Sequence, residues 1–329
     1  MDYFSIRGAW GHGLGFFSGR LRLHALVLIG IGLIPAYALQ FAVGSQPGDL
    51  PPELFGAMGP GGSPVTGVAG GVTVILGYIF QTGSYFASWR LGLSREASPA
   101  DAIGYGMLAG FMAIAACVAL VAVGVVGAVS IGWSGAWLVA AFLILIPLAI
   151  AMAAFYTLFA ALLATGAALV LVLAMIVGAI TGEVGLAATM TGGSGMITVV
   201  LLVMSVILLW LAARFSCATS IMAERRGFNL IAAIRLSWQL TLEDQWAITR
   251  YLAMIAAVLA VIILLLAAAA GVGAAAFVEA GGEVPARSQA LGILIALILG
   301  VPLAFLAVMI PAGIYRDLNR ASTAAEVFV

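Results

Sequence analysis

Residues 102–131 read AIGYGMLAGFMAIAACVALVAVGVVGAVSI, a stretch without one charged side chain. The hydrocarbon core of a bilayer is about 30 Å thick, and a helix needs about 20 apolar residues to cross it. This stretch is long enough for one crossing. Uncharged sequence continues as far as Gly182, which is more than a single crossing helix needs.

The rest of the chain shares this composition. Of its 329 residues, 64% are hydrophobic and only 8% are charged, whereas about 25% are charged in a typical soluble domain. A long disordered region needs high charge, and a nucleic-acid-binding surface needs an excess of basic residues, so both are excluded. We therefore predict an all-α, polytopic transmembrane helix bundle.

Eight apolar segments have the length of a membrane span. They lie near residues 24–44, 65–89, 102–130, 134–157, 162–181, 195–215, 251–278 and 289–313. No charge marks a turn within residues 134–181, so six spans is the alternative to eight. The sequence Pro35-Ala36-Tyr37-Ala38 is similar to a signal-peptidase site, but apolar residues continue beyond it. We predict an uncleaved first span.

Arginine determines the predicted orientation, because the chain contains no lysine. With the N-terminus inside, every arginine except Arg287 falls on the cytoplasmic side, as the positive-inside rule requires. We therefore predict a bacterial inner-membrane protein with both termini in the cytoplasm.

The predicted organisation is a single membrane domain over residues 1–329. It divides into an N-terminal interfacial segment (1–23), spans one to six (24–215), a cytoplasmic interfacial segment (216–250), the last hairpin (251–313) and a cytoplasmic tail (314–329). Amphipathic helices are expected near residues 4–20 and 228–246, where apolar and aromatic residues alternate with arginines.

One motif resembles a known family. Arg214-Phe215 at a helix end is followed by AIRLSWQLT at residues 233–241 and by Trp246. Through Arg214, Phe215, Ser237, Trp238 and Trp246, the chain is similar to bacterial YciC-like proteins and to the membrane domain of the glycerophosphoryl diester phosphodiesterase type. A proline expected after Arg-Phe is replaced by Cys217-Ala218-Thr219-Ser220. Because no phosphodiesterase domain is attached, the resemblance implies a multi-span inner-membrane domain without hydrolase activity.

Side chains suited to catalysis or cofactor binding are scarce. Two cysteines and two histidines are too few for a zinc, iron–sulfur or bis-histidine haem site. No nucleophile–histidine pair or paired-acid arrangement stands out, so we predict no enzyme, metal or cofactor. Cys117 and Cys217 are interpreted as small core residues. His24 is interpreted as an interfacial anchor, with pigment or haem ligation as the alternative.

The second span carries the most polar helix face. Gln81, Ser84 and Ser88 share it, with Tyr78 and Tyr85 beside it, because their spacing follows the helical period. Polar groups facing lipid lack hydrogen-bond partners, so this face is expected to turn inward. It either lines a cavity or makes interhelical hydrogen bonds, and we favour the bonds.

Basic residues flank the predicted spans on the cytoplasmic side. Contacts with lipid headgroups are predicted for Arg20, Arg22, Arg225, Arg226 and Arg235, although orientation alone also requires such arginines. The predicted function is a non-enzymatic accessory or scaffolding subunit, or an organiser of lipid. Its expected partners are the lipid bilayer and other membrane proteins, without nucleic acid. The alternative is a transporter or permease for a neutral or lipidic substrate.

Overall fold

A computed structural model of the protein describes residues 4–44, 64–94, 96–131, 206–207, 209–259, 261–262 and 300–319. These residues form helices, turns and bends, without a strand among them, which confirms the all-α prediction for this part of the chain. Two helices, Leu21–Leu39 and Gly300–Asn319, are long and apolar enough to cross a membrane. The predicted spans at 134–157 and 162–181 lie outside the described residues, so eight spans stays a prediction.

The helices are numbered in chain order. The N-terminal part contains α1 (Ile6–Phe17), α2 (Leu21–Ala25), a π-helical segment (Leu26–Leu33) and α3 (Ile34–Gly44). Two long helices follow, α4 (Pro64–Leu93) and α5 (Pro99–Ile131). The remaining described helices are α6 (209–215), α7 (Ala218–Arg225), α8 (Leu230–Leu240), α9 (Gln245–Leu259) and α10 (Gly300–Asn319).

The π-helical segment has a local cause in the sequence. Pro35 lies two residues beyond the last residue of this segment, Leu33. Proline has no backbone N–H, and its ring crowds the carbonyl of the preceding turn. The normal i to i−4 hydrogen-bond ladder is therefore interrupted at this point. Wider π turns accommodate such an interruption without ending the helix.

Helices α4 and α5 form a tight hairpin. Pro99 occupies the first turn of α5, and the Ser98 hydroxyl accepts a hydrogen bond from the Asp101 N–H at 3.1 Å, a normal helix start. Further along, glycines bring the two backbones together. A Cβ on Gly106 would lie 2.6 Å from the Ala87 nitrogen, and one on Gly110 would lie 2.6 Å from the Gly83 nitrogen.

A second close crossing joins α1 to α10. A Cβ on Gly13 would lie 3.1 Å from the carbonyl oxygen of Met309, and one on Gly313 would overlap the carbonyl oxygen of Ala9. At the start of α1, the backbone N–H of Ser5 donates to Asp317 Oδ2 at 2.8 Å. The predicted N-terminal interfacial helix is therefore fixed to the last described helix.

Several helix ends meet near the C-terminal end of α10. Arg90 Nη1, on α4, donates to the carbonyls of Ala223 and Glu224 in α7, at 3.2 and 2.7 Å. The Glu224 carboxylate accepts a hydrogen bond from Tyr315 on α10, and α1 packs on α10 close by. Four segments predicted to be cytoplasmic are thus gathered at one end of the described helices, which we call the arginine-rich end.

Candidate functional site

A cavity of about 290 Å³ lies at the arginine-rich end. It is lined by the end of α1, the α1–α2 turn, α2, the end of α4 and α10. Arg20, His24 and Arg316 are among its lining residues, and among the described residues no carboxylate lines it. We call it the basic cavity. Its volume is at the lower end of the range for ligand pockets, about 300–1,000 Å³, so only a small chemical group would fit in it.

The two arginines of the basic cavity are held by the last turn of α4. Arg20 Nη1 donates to the Leu91 carbonyl at 3.3 Å, and Arg316 Nη2 donates to the Gly92 carbonyl at 2.7 Å. Carbonyls at a helix C-terminus carry partial negative charge and attract cations. The Phe16 ring packs on Gly92, where a Cβ would overlap it, and the Arg316 guanidinium lies 5.2 Å from that ring's centroid.

His24 forms the inner wall of the basic cavity. The residue is 0% exposed, and the Phe16 and Phe17 ring centroids lie 5.0 Å from that of its imidazole. Nδ1 is 2.6 Å from the Ser88 hydroxyl oxygen, whereas Nε2 has no hydrogen-bond partner in the described part of the chain. This burial corrects the interpretation of His24 as an interfacial anchor, because an anchor exposes its polar edge to the headgroups.

The polar face of the second span packs mainly against the first span. Ser84 and Ser88 are buried, Gln81 is half-buried and Tyr78 is exposed. Gln81 Nε2 donates to the Tyr85 hydroxyl at 2.9 Å, and the Ser84 hydroxyl donates to the Gln81 carbonyl at 2.7 Å, both within α4. Ser84 also packs on Gly32, where a Cβ would overlap it. Ser88 makes an interhelical hydrogen bond, with His24.

Four of the five motif residues form a cluster, and Trp246 does not join it. The Arg214 guanidinium lies 4.6 Å from the Trp238 ring centroid and 5.7 Å from that of Trp210, while the Phe215 and Trp238 rings are 5.7 Å apart. Arg214 is 4% exposed. Such a desolvated cation–π contact contributes about 2 kcal/mol. Trp246 is 62% exposed.

Ser237 links α8 to the backbone of the α6–α7 junction. Its Oγ donates to the Arg214 carbonyl at 2.8 Å and accepts from the Cys217 N–H at 3.2 Å. These backbone groups lie at the junction of α6 and α7, where the helix ladder ends. Thr241 Oγ1, one turn further along α8, donates to the Ser237 carbonyl at 2.9 Å. The motif thus docks α8 on the α6–α7 junction.

The predicted headgroup arginines occupy different environments. Arg20 is half-buried in the basic cavity, whereas Arg22, Arg225, Arg226 and Arg235 are exposed. Arg226 Nη2 also pairs with Asp101 Oδ1 at 3.0 Å. An exposed pair of this kind contributes little to stability.

Both amphipathic helices expose large apolar residues. On α8, Ala233 and Ser237 are buried and Ile231 is 80% exposed, while the larger Leu230, Ile234, Leu236 and Leu240 are partly buried against the core. On α1, Ala9, Gly13, Phe16 and Phe17 are buried. The outward face of α1 carries Ile6, Trp10 and Leu14, which are 41%, 39% and 56% exposed. In a water-soluble helix the large apolar side chains face the core, so these outward residues require a second apolar environment.

The structure describes one of the two cysteine side chains, that of Cys217. Cys217 is fully buried, as expected of a small core residue, and burial raises the pKa of its thiol to about 12. It is therefore unreactive in the folded protein, because the thiolate is the reactive species. The side chain of Cys117 lies outside the described ones. In the described ranges, no group of three or more His, Cys, Asp or Glu residues has the arrangement of a metal site.

Two features of this region could not be predicted from the sequence. The basic cavity depends on Arg316, which lies far along the chain from Arg20 and His24, and the Arg214 cluster depends on Trp210. The sequence signal for the basic cavity was that Arg20 and Arg316 lie at the same predicted membrane boundary. No protein family, curated protein or solved structure matches this chain.

Proposed function

We propose that this protein is a non-enzymatic integral membrane protein that organises phospholipid around its arginine-rich end. The supporting observation is the set of large apolar residues that α1 and α8 expose. Ile6, Trp10 and Leu14 of α1 and Ile231 of α8 point away from the described core. An amphipathic helix in the headgroup layer inserts its apolar face into the bilayer, which is the environment that these outward faces require.

Charge supports the same location for α8. Arg235 is exposed and lies one helical turn after Ile231, on the same side of the helix. A long arginine side chain reaches from an apolar surface to the headgroup phosphates. Exposed Arg225 lies at the end of α7, the helix on whose start α8 docks. Each arginine near an anionic membrane surface contributes about 1 kcal/mol to the attraction.

Outward apolar faces on the longer helices fit a lipid environment as well. On α5, Leu108, Phe111 and Met112 are 51%, 54% and 52% exposed, and they share one face at helical spacing. An exposed apolar surface of this kind marks a site of contact with a membrane or with another protein. The resemblance to YciC-like inner-membrane proteins adds an expectation in the same direction.

The alternative function, a permease, has less support. Its proposed pathway is the polar face of the second span, and Ser84 on that face packs against Gly32. The Gln81 amide donates its hydrogen bond to Tyr85 within the same helix. These contacts suit helix packing better than a solute pathway.

The test is the lipid composition around the protein. After extraction in copolymer-bounded native discs, we expect anionic phosphatidylglycerol to be enriched over phosphatidylethanolamine relative to the bulk membrane. Arg235→Gln is expected to lower this enrichment, and the combined Arg225→Gln, Arg226→Gln and Arg235→Gln variant to remove most of it, because roughly 1 kcal/mol is lost per arginine. Quantitative lipid mass spectrometry measures the ratio.

Arg287→Gln is the matched control, since it removes the same charge on the side predicted to face out of the cytoplasm. We expect it to leave the enrichment unchanged. Bulk lipid ratios around the wild type, or equal losses in Arg235→Gln and Arg287→Gln, would contradict the proposal. A partner protein retained in stoichiometric amount would instead favour the accessory-subunit version.

A further inference from the structure

We infer that the basic cavity is a binding site for one phosphate group, held by Arg20, Arg316 and His24. The inference goes beyond the proposed function, because it concerns a formed cavity rather than the outward faces of α1 and α8. A phosphate on a lipid headgroup and a free phosphate ester share the chemistry that this cavity recognises.

Charge is the first argument. Two guanidinium groups line the cavity, and no carboxylate from the described part of the chain does. Guanidinium groups bind phosphate oxygens through paired N–H donors, with charge-assisted hydrogen bonds about twice as strong as neutral ones. The carbonyls of Leu91 and Gly92 fix both side chains in place, so an entering anion meets arginines that are already ordered.

His24 is the second, independent argument. It is fully buried, lines the cavity, and its Nε2 has no hydrogen-bond partner among the described residues. A buried polar atom without a partner costs about 1–3 kcal/mol, so such atoms are uncommon unless a ligand or water meets them. With the Ser88 hydroxyl donating to Nδ1, the neutral ring carries its proton on Nε2 and offers a donor suited to a phosphate oxygen.

The location fits a phosphate at headgroup depth. Arg20 directly precedes the apolar helix Leu21–Leu39, and Arg316 lies in the last turns of Gly300–Asn319. Gly19 has a φ of +86°, a conformation that glycine adopts without the strain other residues incur. That glycine turns the chain between α1 and α2 and so forms one wall of the cavity.

The test uses the full chain, purified and delipidated in neutral detergent. Inorganic phosphate is titrated against chloride at equal ionic strength while the melting temperature is recorded. We expect a saturable rise for the wild type, and an affinity at least about tenfold lower for Arg20→Gln, corresponding to one charged hydrogen bond. Arg250→Gln, the same change on an exposed side chain of α9, is expected to behave as the wild type does.

A parallel arm identifies the source of the phosphate. The same variants are placed in nanodiscs of phosphatidylglycerol or phosphatidylcholine, and retained lipid is counted by native mass spectrometry. Retention of phosphatidylglycerol that Arg20→Gln loses and Arg250→Gln keeps assigns a lipid source, whereas a response to inorganic phosphate alone assigns a soluble one. Identical behaviour of the two variants in both arms would overturn the inference, even if the native-disc lipid enrichment held.

A measurement on the wild type covers the case in which Arg20→Gln does not fold. Phenylglyoxal modifies accessible arginines, and peptide mass spectrometry gives the rate at each residue. Phosphate is expected to slow modification of Arg20 and to leave that of exposed Arg22 unchanged. Equal rates at Arg20 in phosphate and in chloride of the same ionic strength would refute the site.

Discussion

Gly106→Ala is expected to destabilise the protein strongly, although it adds a single methyl group. The new Cβ would lie 2.6 Å from both the backbone nitrogen and the Cβ of Ala87, and no side-chain rotation relieves a contact with backbone. The α4–α5 hairpin must therefore open. Overpacking of this kind costs about 1–3 kcal/mol, occasionally more, and we expect at least the upper end of that range. Thermal unfolding in detergent measures the effect.

Gly104→Ala is the matched control, two residues away in the same helix. A Cβ there meets nothing within 4 Å, and replacing a helical glycine by alanine stabilises by about 0.4–1 kcal/mol. The two variants should therefore move the melting temperature in opposite directions. Equal melting temperatures would show that α4 and α5 are not in close contact at Gly106.

Arg90→Ala is expected to have the second largest effect. The guanidinium donates to the carbonyls of Ala223 and Glu224 at the end of α7, and it pairs with Asp101 at 3.3 Å. Removing it leaves two helix-terminal carbonyls without this donor. Hydrogen bonds to a charged group contribute about 1.5–3 kcal/mol each, so we expect a loss of roughly 3 kcal/mol or more in thermal unfolding.

Arg226→Ala tests whether the loss of one positive charge alone explains the effect of Arg90→Ala. Arg226 also pairs with Asp101, but its side chain is 64% exposed, and exposed ion pairs contribute about 0–1 kcal/mol. Arg90→Lys keeps the charge without the planar fork and should be intermediate in stability. A loss in Arg226→Ala as large as that in Arg90→Ala would show that general electrostatics, rather than the capping of α7, holds this junction.

The local features of the fold were predictable because they follow from local chemistry. Residues 102–131 lack charge and form α5, and the apolar residues near 228–246 form an amphipathic helix, α8. The spacing of Gly106 and Gly110, one helical turn apart, is typical of close helix approach. Their actual partner, Gly83, was not predictable, because the period of a helix does not say which face of another helix it meets.

Features that join distant segments escaped prediction. The polarity of Ser88 predicted an inward orientation, but its partner His24 lies 64 residues away. Hydrophobic periodicity places Ile231 and Trp238 on one apolar stripe of α8, but Trp238 packs on Arg214 and Phe215 whereas Ile231 is exposed. Periodicity therefore locates the amphipathic helix without showing which of its apolar residues pack on the protein and which face outward.

The depth of α8 in the bilayer is the most direct test of the proposed lipid-organising function. A spin label is attached through Ile231→Cys or Gln239→Cys, each with Cys117→Ala and Cys217→Ala, in liposomes containing phosphatidylglycerol. Power-saturation spectroscopy then compares collisions with oxygen, which concentrates in lipid, and with a water-soluble nickel chelate. We predict a markedly higher oxygen-to-nickel ratio at position 231 than at 239. Equal, water-like ratios at both positions would contradict the placement of α8 in the headgroup layer and the lipid-organising function built on it.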